Sequence, residues 1–495
     1  MPITIRALAF VYISVLIVHL FARKEFIRLI GISDYNKLLY SYIFVLLVAA
    51  LSPGYWIFLS ILLIYIQIFL RKNPDLRISL FFMLIFAVPN FTLDIPGIFD
   101  IRFVMSMSYA RFLILILLLP LLLSKRHKEY APFGFLSTDI FVLAYILTNG
   151  ILGFRDNTIT NAIRELFMLY IDIYIPYFVI SRYVVNSLEL QKILSIFVFS
   201  ICVLSVVSLL ETSKSWHIYN EFSKHLQTSN NTPLYLIRSG MLRASTVFYT
   251  PIALGLVATI AFGASLYLVR HIKDYQSRLF ILIVIFMGLV TSLSRGPWMG
   301  FVILILAHSY IHKTLLKDTF KYFIILVILI PFLSLTSYWN TFVSLLPIIG
   351  NVEIENITYR QQLLENALLV LQKYPIFGSP KFIDEPEMQQ MVQGQGIVDI
   401  VNSYIRIMLT TGIVGLILFV SIFISILISA YKIIIAYMMT DKDKFELGST
   451  LVAILVSTLF IISTVSSIGY IPYLYWIFTG LIGAYVIMNR YLLKI

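Results

Sequence analysis

Charge is scarce in this chain. Asp, Glu, Lys and Arg together make up 13% of its 495 residues, against about a quarter in a soluble domain. With 60% hydrophobic residues and a mean hydropathy of +0.91, that scarcity excludes a soluble fold of this length. Cysteine is nearly absent: Cys202 stands alone inside an apolar run, which excludes a disulfide framework and a thiol-based metal site. No segment alternates apolar and polar residues over about ten positions, so a transmembrane barrel is excluded as well. No P-loop or glycine-rich nucleotide fingerprint is found. Internal repeats are missing, and acidic residues suited to ion coupling are sparse inside the apolar runs, Asp172 being the clearest. Both absences weigh against a transporter.

What is present is a series of apolar runs, each about 16 to 25 residues long, the length a helix needs to cross about 30 Å of hydrocarbon. They fall near residues 5–22, 38–51, 54–70, 78–96, 104–124, 137–153, 163–181 and 190–211. Further runs fall near 246–269, 279–294, 297–312, 322–344, 404–430, 448–467 and 471–489. The predicted fold class is all-α, a polytopic transmembrane helical bundle of about 12 to 15 spans; 38–51 is short, and 78–96 is interrupted by Pro89 and Asn90. The stretch from Ile3 to Leu20 resembles a secretory leader, but its one charge is Arg6 and no small-residue cleavage pattern precedes Arg23 and Lys24. It is expected to remain as the first span.

Lys and Arg resist translocation, so the loops that hold them mark the cytoplasmic side. One set of connections contains Arg23, Lys24, Arg28 and Lys37, then Arg71, Lys72 and Arg77, then Lys125, Arg126 and Lys128, then Arg182 and Lys192. The same side later receives Arg270, Lys273, Arg278, Lys313, Lys317, Lys321, Lys432, Lys442, Lys444, Arg490 and Lys494. The net charge of +12 then reflects basic residues kept at that face, not nucleic-acid binding. The run Asp441, Lys442, Asp443 is read as solvated cytoplasmic loop. The opposite side receives 212–245 and one large loop, 345–403. Four regions follow: N-terminal membrane helices over 1–240, membrane helices with a tight turn over 241–344, the large extracytoplasmic loop over 345–403, and C-terminal membrane helices over 404–495.

Arginine outnumbers lysine on the outward side, and its planar fork grips phosphate and carboxylate bidentately. Arg111, Arg164, Arg295 and Arg406 fall at or within span ends, where a charge is a functional hypothesis or a snorkelling side chain. Three segments gather such residues. In Arg243–Gly255, RASTVFYTPIALG, a basic loop enters a span through Thr250 and Pro251, with proline in the first turn where its missing donor costs nothing. In Ser292–Gly300, SLSRGPWMG, Gly296 and Pro297 break the helix beside Arg295 and leave backbone donors at a new N-terminus. In the large loop, Tyr359–Tyr374, YRQQLLENALLVLQKY, places Leu363, Leu364, Ala367, Leu368 and Leu371 on one helical face. That helix opens with Arg360, stops at Pro375 and Gly378, and is expected to cover the outer ends of the spans. A polar stretch leads to VDIVNSYIRIMLTTGIVGLILF, where Asp399, Asn402 and Ser403 precede the next span.

This ordered set, an SRG turn, an Arg-led loop helix ending in a P-x-x-G turn, and N-S-Y followed by G-I-V-G, resembles the C-terminal signature of the O-antigen ligase and polymerase superfamily of bacterial surface-polysaccharide assembly. RASTVFYTPIALG resembles that family's upstream segment, so the likeness spans about residues 240–425. The resemblance implies a bacterial inner-membrane enzyme, similar in fold to the lipid-linked-sugar glycosyltransferases and working on the outer face. Its donor would be an oligosaccharide on polyprenyl (undecaprenyl) diphosphate, and its acceptor another such chain or a lipid core. Membrane lipid, a chain-length regulator and a flippase of the same pathway would be its partners. Arg295 and Arg360 match the arginines that would hold the diphosphate, with Arg243, Arg164 and Arg406 as further substrate-binding candidates. Where ligases carry a histidine, at or just before Asn402, this chain has none, and residues 345–403 contain no histidine at all. That departure favours a polymerase over a ligase.

Such chemistry needs neither metal nor cofactor. Fixed arginines would stabilise the charge left on the diphosphate, and the acceptor hydroxyl needs at most a weak base. Asp399 and Asn402 are the catalytic candidates, with Glu353, Glu355 and Asp384 behind Asp399 as alternative bases. A lipid-linked-sugar flippase, a ligase and a non-catalytic assembly partner stay open as alternatives.

Overall fold

The computed structural model describes residues 3–97, 102–124, 131–155, 157–228, 235–315, 317, 354–393 and 396–490. The expected span at 322–344 and the candidate Glu353 lie outside the described residues, as does the side chain of Glu355.

The chain is a bundle of helices. The N-terminal part runs through α1 (Ile3–Ile30), α2 (Ile32–Leu51), α3 (Tyr55–Lys72) and the short α4 (Arg77–Leu84). A hairpin of β1 (Thr92–Pro96) and β2 (Phe103–Ser108) follows, then α5 (Tyr109–Leu123), α6 (Ser137–Leu152), α7 (159–183) and α8 (Ser187–Lys214). A short α9 (Asn220–His225) and the two-residue strands β3 (Ile237–Arg238) and β4 (Met241–Leu242) lead into α10 (Pro251–Leu268), α11 (Tyr275–Thr291) and α12 (Arg295–Ile311). The large loop contributes α13 (Ile354–Lys373), and α14 (Ser403–Tyr437), α15 (Lys442–Ile462) and α16 (Ile471–Met488) close the chain.

Among the described residues, eight helices are long and apolar enough to cross a membrane: α1, α2, α3, α8, α10, α14, α15 and α16. Burial separates them into two classes. The central α8 is 89% buried along its apolar window, and α10, α15 and α16 are each 83% buried, whereas α3 and α14 are 33% buried. The outer helices nonetheless show large apolar side chains on their open faces, among them Ile64, Ile417, Ile424 and Ile428. Apolar residues on both the inner and the outer faces are what a bundle solvated by lipid requires. The chain is a multi-pass helical membrane protein.

The structure corrects the sequence reading in four places here. A single span was expected across 78–96, but α4 has 8 residues, about 12 Å at 1.5 Å per residue, and the chain then turns into the β1–β2 hairpin. The expected span at 104–124 accordingly begins as strand and becomes helix at Tyr109. Pro120 in α5 cannot donate to the carbonyl of Ile116, and Arg77 donates to that oxygen instead at 3.1 Å. Arg182, placed in a basic loop, is fully buried and ion-paired with the equally buried Asp139. Asp139 also accepts a hydrogen bond from Tyr177 at 2.6 Å, so neither charge lies unpaired in a dry interior. The Asp441–Asp443 run is the start of α15, with Asp441 capping it and Asp443 accepting from Tyr267 and pairing with His271.

The large loop has its own small core of Leu363, Ala367, Val370, Phe382, Met388, Met391 and Ile400, continued by Ile405 and Leu409 of α14. The buried strip of α13 is therefore 363, 367 and 370, while Leu364 and Leu368 are 46% and 45% exposed. The apolar face expected from the sequence was too wide because α13 is packed on one side alone.

The loop is fastened to the bundle through a break in a membrane helix. Within α14, Gly412 has φ 68° and ψ −166°, outside helical geometry, which frees backbone donors in the next turn. The 375–378 turn fills the gap. Ile413 N–H donates to Pro375 O at 3.0 Å, Val414 N–H donates to Ile376 O at 3.2 Å, and Ser379 N–H donates back to Leu409 O at 2.8 Å. Arg155 seals the rim, donating to Gly378 O at 2.8 Å and Thr410 O at 3.2 Å. A Cβ on Gly412 would lie 2.2 Å from Ile376 O, and one on Gly378 would lie 2.4 Å from Leu409 O. Gly412→Ala and Gly378→Ala are therefore expected to cost about 3 kcal/mol or more, read as a large fall in melting temperature in detergent. Gly396→Ala, at a positive φ but with open space around its Cβ, should cost about 1 kcal/mol.

Candidate active site

Polar groups converge where the loop meets the bundle. The starting point is the tight turn between α11 and α12. Leu293 has φ 45°, a left-handed conformation that turns neighbouring carbonyls away from the helix. Two arginines from the β3–β4 hairpin take them up: Arg238 donates to Leu293 O at 2.7 Å, and Arg243 donates to Ser292 O at 3.4 Å and to Ser294 Oγ at 2.8 Å. The hairpin is held in turn by Glu211, whose buried carboxylate accepts from the N–H groups of Ile218, Ser245 and Thr246 at 3.0–3.1 Å. Arg295 opens α12 half-buried beside these groups.

The opposite wall is the link between α15 and α16. The span expected over 448–467 stops as a helix at Ile462, and Ser463–Ser467 form a polar floor. Gly296 sits so close to this floor that a Cβ on it would lie 2.4 Å from Thr464 Oγ1. Arg360 of α13 donates to Thr464 O at 3.3 Å. Thr464 thus joins the start of α12, with Arg295, to the loop helix, with Arg360. Desolvation holds the Arg360 guanidinium below its ordinary pKa, and the nearby Asp399 carboxylate pulls the other way.

Asp399 is exposed, and its backbone is pinned by Tyr359, whose hydroxyl donates to Asp399 O at 2.9 Å and accepts from Asp399 N–H at 3.1 Å. Ser466 Oγ reaches Asp399 Oδ1 at 3.4 Å and also donates to Ile400 O. Ser403 Oγ donates to Val465 O at 2.7 Å and accepts from Ser467 Oγ at 2.7 Å. The Asp399–Ser403 segment therefore lies along the same floor.

The sequence-derived residues divide by location. Arg360 and Asp399 contact this floor, Arg295 opens the helix whose next residue, Gly296, packs against it, and Arg243 braces the adjoining turn. Asn402 lies beside it, but its side-chain oxygen caps α14, accepting from Tyr404 N–H at 2.9 Å and Ile405 N–H at 3.2 Å. Arg406 is exposed one turn further along α14. Arg164 is elsewhere: it donates to Val104 O and Phe103 O at 2.8 and 2.6 Å and stacks over the Phe103 ring at 3.9 Å, which fixes β2 to α7. Asp384 is exposed within the loop. Arg111 grips Asp172 through Nε and Nη2 at 2.7–3.1 Å, and Tyr473 donates to the same carboxylate at 2.9 Å. The embedded acid best suited to ion coupling is thus already neutralised.

Sequence reasoning missed Thr464, Ser466, Ser467 and Glu211. Five consecutive Ser, Thr and Val residues, STVSS, between two apolar runs were the available signal for the first three. Glu211 at the end of a long apolar run had no signal beyond being an acid there.

The fold and these residues define a class: a multi-pass helical membrane protein with a cluster of arginines and hydroxyl side chains at the loop-bearing end of its bundle. Residues 280–420 match the family model described as O-antigen ligase. That region takes in the Ser292–Arg295 turn, Arg360, the 375–378 turn and the break at Gly412, and the match is consistent with an O-antigen ligase/polymerase-like superfamily. No curated protein matches the chain.

The role of Asn402 can be separated by substitution. A cap requires only a short side-chain acceptor, so Asn402→Asp and Asn402→Ser should keep stability and glycan production, while Asn402→Ala loses about 1 kcal/mol. Thermal unfolding and surface-glycan gels check this. Loss of glycan in Asn402→Ser at normal melting temperature would instead show that the amide takes part in the reaction.

Proposed function

We propose that this protein is a polysaccharide polymerase of the bacterial cytoplasmic membrane, joining polyprenyl-diphosphate-linked oligosaccharide repeats of an O-antigen, capsule or exopolysaccharide on the extracytoplasmic side. What supports this reading is that the start of α12, which carries Arg295, and the loop helix, which carries Arg360, meet at Thr464, that Arg243 braces the turn before Arg295, and that Arg295 and Arg360 both fall within the region that matches the family.

In the reaction, a hydroxyl of the acceptor sugar attacks the anomeric carbon of the donor. The bond from that carbon to the diphosphate oxygen breaks, and polyprenyl diphosphate leaves with the bonding pair. Arg295 and Arg360 face the charge that develops on the leaving group, in a site bounded by apolar helices where such pairing is stronger than in water. Arg243 supports the turn that positions Arg295. Asp399 receives the hydroxyl proton, and its exposure leaves it open to an incoming chain. No step in this scheme draws on a metal. A ligase reading is favoured by the description of the matching family, whereas the absence of histidine from residues 345–403 favours polymerisation. A chain-length regulator and a flippase of the pathway are the partners this reading implies.

Deleting the gene should leave single repeats on the lipid carrier, and the intact gene should restore long chains. Arg295→Ala and Arg360→Ala should each lower chain formation about 100-fold or more, and Asp399→Asn by about 10²-fold or more, at normal protein levels. Full-length polymer that stays lipid-linked in the deletion would show a ligase, and repeats trapped on the cytoplasmic face would show a flippase. Normal polymer in both arginine variants would overturn the site.

A further inference from the structure

The other end of α12 carries a second constellation. His308 and His312 stand one turn apart on α12, and Glu446 faces them from the first turns of α15. Their ligand atoms all lie within 4.8 Å of one another. Glu446 Oε2 is 2.9 Å from His312 Nε2 and 3.9 Å from His308 Nε2. In a tetrahedral zinc site with bonds near 2.0–2.1 Å, donor atoms stand about 3.3 Å apart, which lies between these two distances. Two histidines at i and i+4 on one helix face, with a carboxylate from another element, form a ligand set suited to imidazole-binding divalent metals.

The hydrogen bonding around the ligands points the same way. His312 Nδ1 lies 2.8 Å from His308 O, an acceptor, so Nδ1 carries a proton there. Its Nε2 faces the Glu446 carboxylate, which is also an acceptor. Nε2 and Oε2 are thus placed as two donor atoms that one cation can share. An imidazole whose far nitrogen donates to a backbone carbonyl is oriented as metal-bound histidines are. Arg270 holds Glu446 through the other oxygen, Oε1, leaving Oε2 turned toward both rings. The side chains of His308, His312 and Glu446 are 22%, 16% and 8% exposed, so the position keeps a path to solvent for an incoming ion and for a water as fourth ligand.

We infer that His308, His312 and Glu446 form a binding site for a divalent transition metal of the zinc class, which clamps α12 to α15 at the end of the bundle away from the arginine site. The two helices already meet closely along their length, with Gly300 against Ile461 and Ser457. The helix that begins at Arg295 is 17 residues long, or about 25 Å, and a metal clamp fixes its far end. Its role is therefore to stiffen the strut under the polar site rather than to take part in sugar transfer.

The test uses the full-length protein in detergent, purified through a tag free of histidine and stripped with a chelator. On dialysis against buffered Zn²⁺ the wild type should retain about one ion per chain and melt at a higher temperature than the stripped protein. The Co²⁺-loaded wild type should show the visible ligand-field band of a four-coordinate nitrogen and oxygen site. His308→Asn with His312→Asn, and separately Glu446→Gln, should lose both the retained ion and the band. Aqueous-type Co²⁺ spectra from the wild type, or equal Zn²⁺ retention in the doubly substituted protein, would overturn the inference. The spectrum is read on the unsubstituted chain, so a folding defect in the variants leaves that arm intact.

Discussion

The architecture turns on one constraint: a helix that is interrupted among apolar neighbours must have its freed backbone groups satisfied by the protein itself, because lipid offers no hydrogen bonds. Each interruption described here is sealed in that way. The break at Gly412 takes its acceptors from the 375–378 turn. The carbonyls of Ser292 and Leu293 take donors from Arg243 and Arg238. The N–H groups of Ser245 and Thr246 are held by Glu211, and the carbonyl facing Pro120 takes Arg77. The first three breaks lie at the loop-bearing end, so satisfying them also gathers polar side chains there.

This changes how the arginines are to be understood. Arginine at a span end is expensive, and several of those present are occupied with structure: Arg111 with Asp172, Arg155 with the loop turn, Arg164 with the hairpin. Arg360 differs in its surroundings, since it reaches the hydroxyl-rich Ser463–Ser467 link through Thr464 O, and Arg295 opens the helix whose next residue, Gly296, packs on the same threonine. Arg243 braces the turn that presents Arg295. What each guanidinium does is thus set by what surrounds it, not by its position in a span.

The bundle has different chemistry at its two ends. The loop-bearing end is rich in arginine, serine and threonine, groups suited to an oxygen-rich anion. The other end pairs histidines with carboxylates, as in His312 with Glu446 and His271 with Asp443. The closely packed α12 and α15 connect the two, so the stiffness of one end bears on the placement of Arg295 at the other.

The sequence alone determined that this is a multi-pass helical membrane protein, because hydropathy over about 20 residues follows directly from the thickness of hydrocarbon. It also located the turn at Arg295, the loop helix at Arg360 and the stop at Gly378, since glycine, proline and arginine act locally. Tertiary structure alone decided which polar residues share a site. Thr464 and Ser466 read as the tail of a span until the fold brings Arg360 and Asp399 over them. Leu364 and Leu368 read as buried until the loop packs on one side of their helix, and Arg182 read as a loop charge until Asp139 is found against it. Periodicity and hydropathy report on neighbours along the chain, whereas these assignments depend on distant partners, such as Arg360 and Thr464, 104 residues apart.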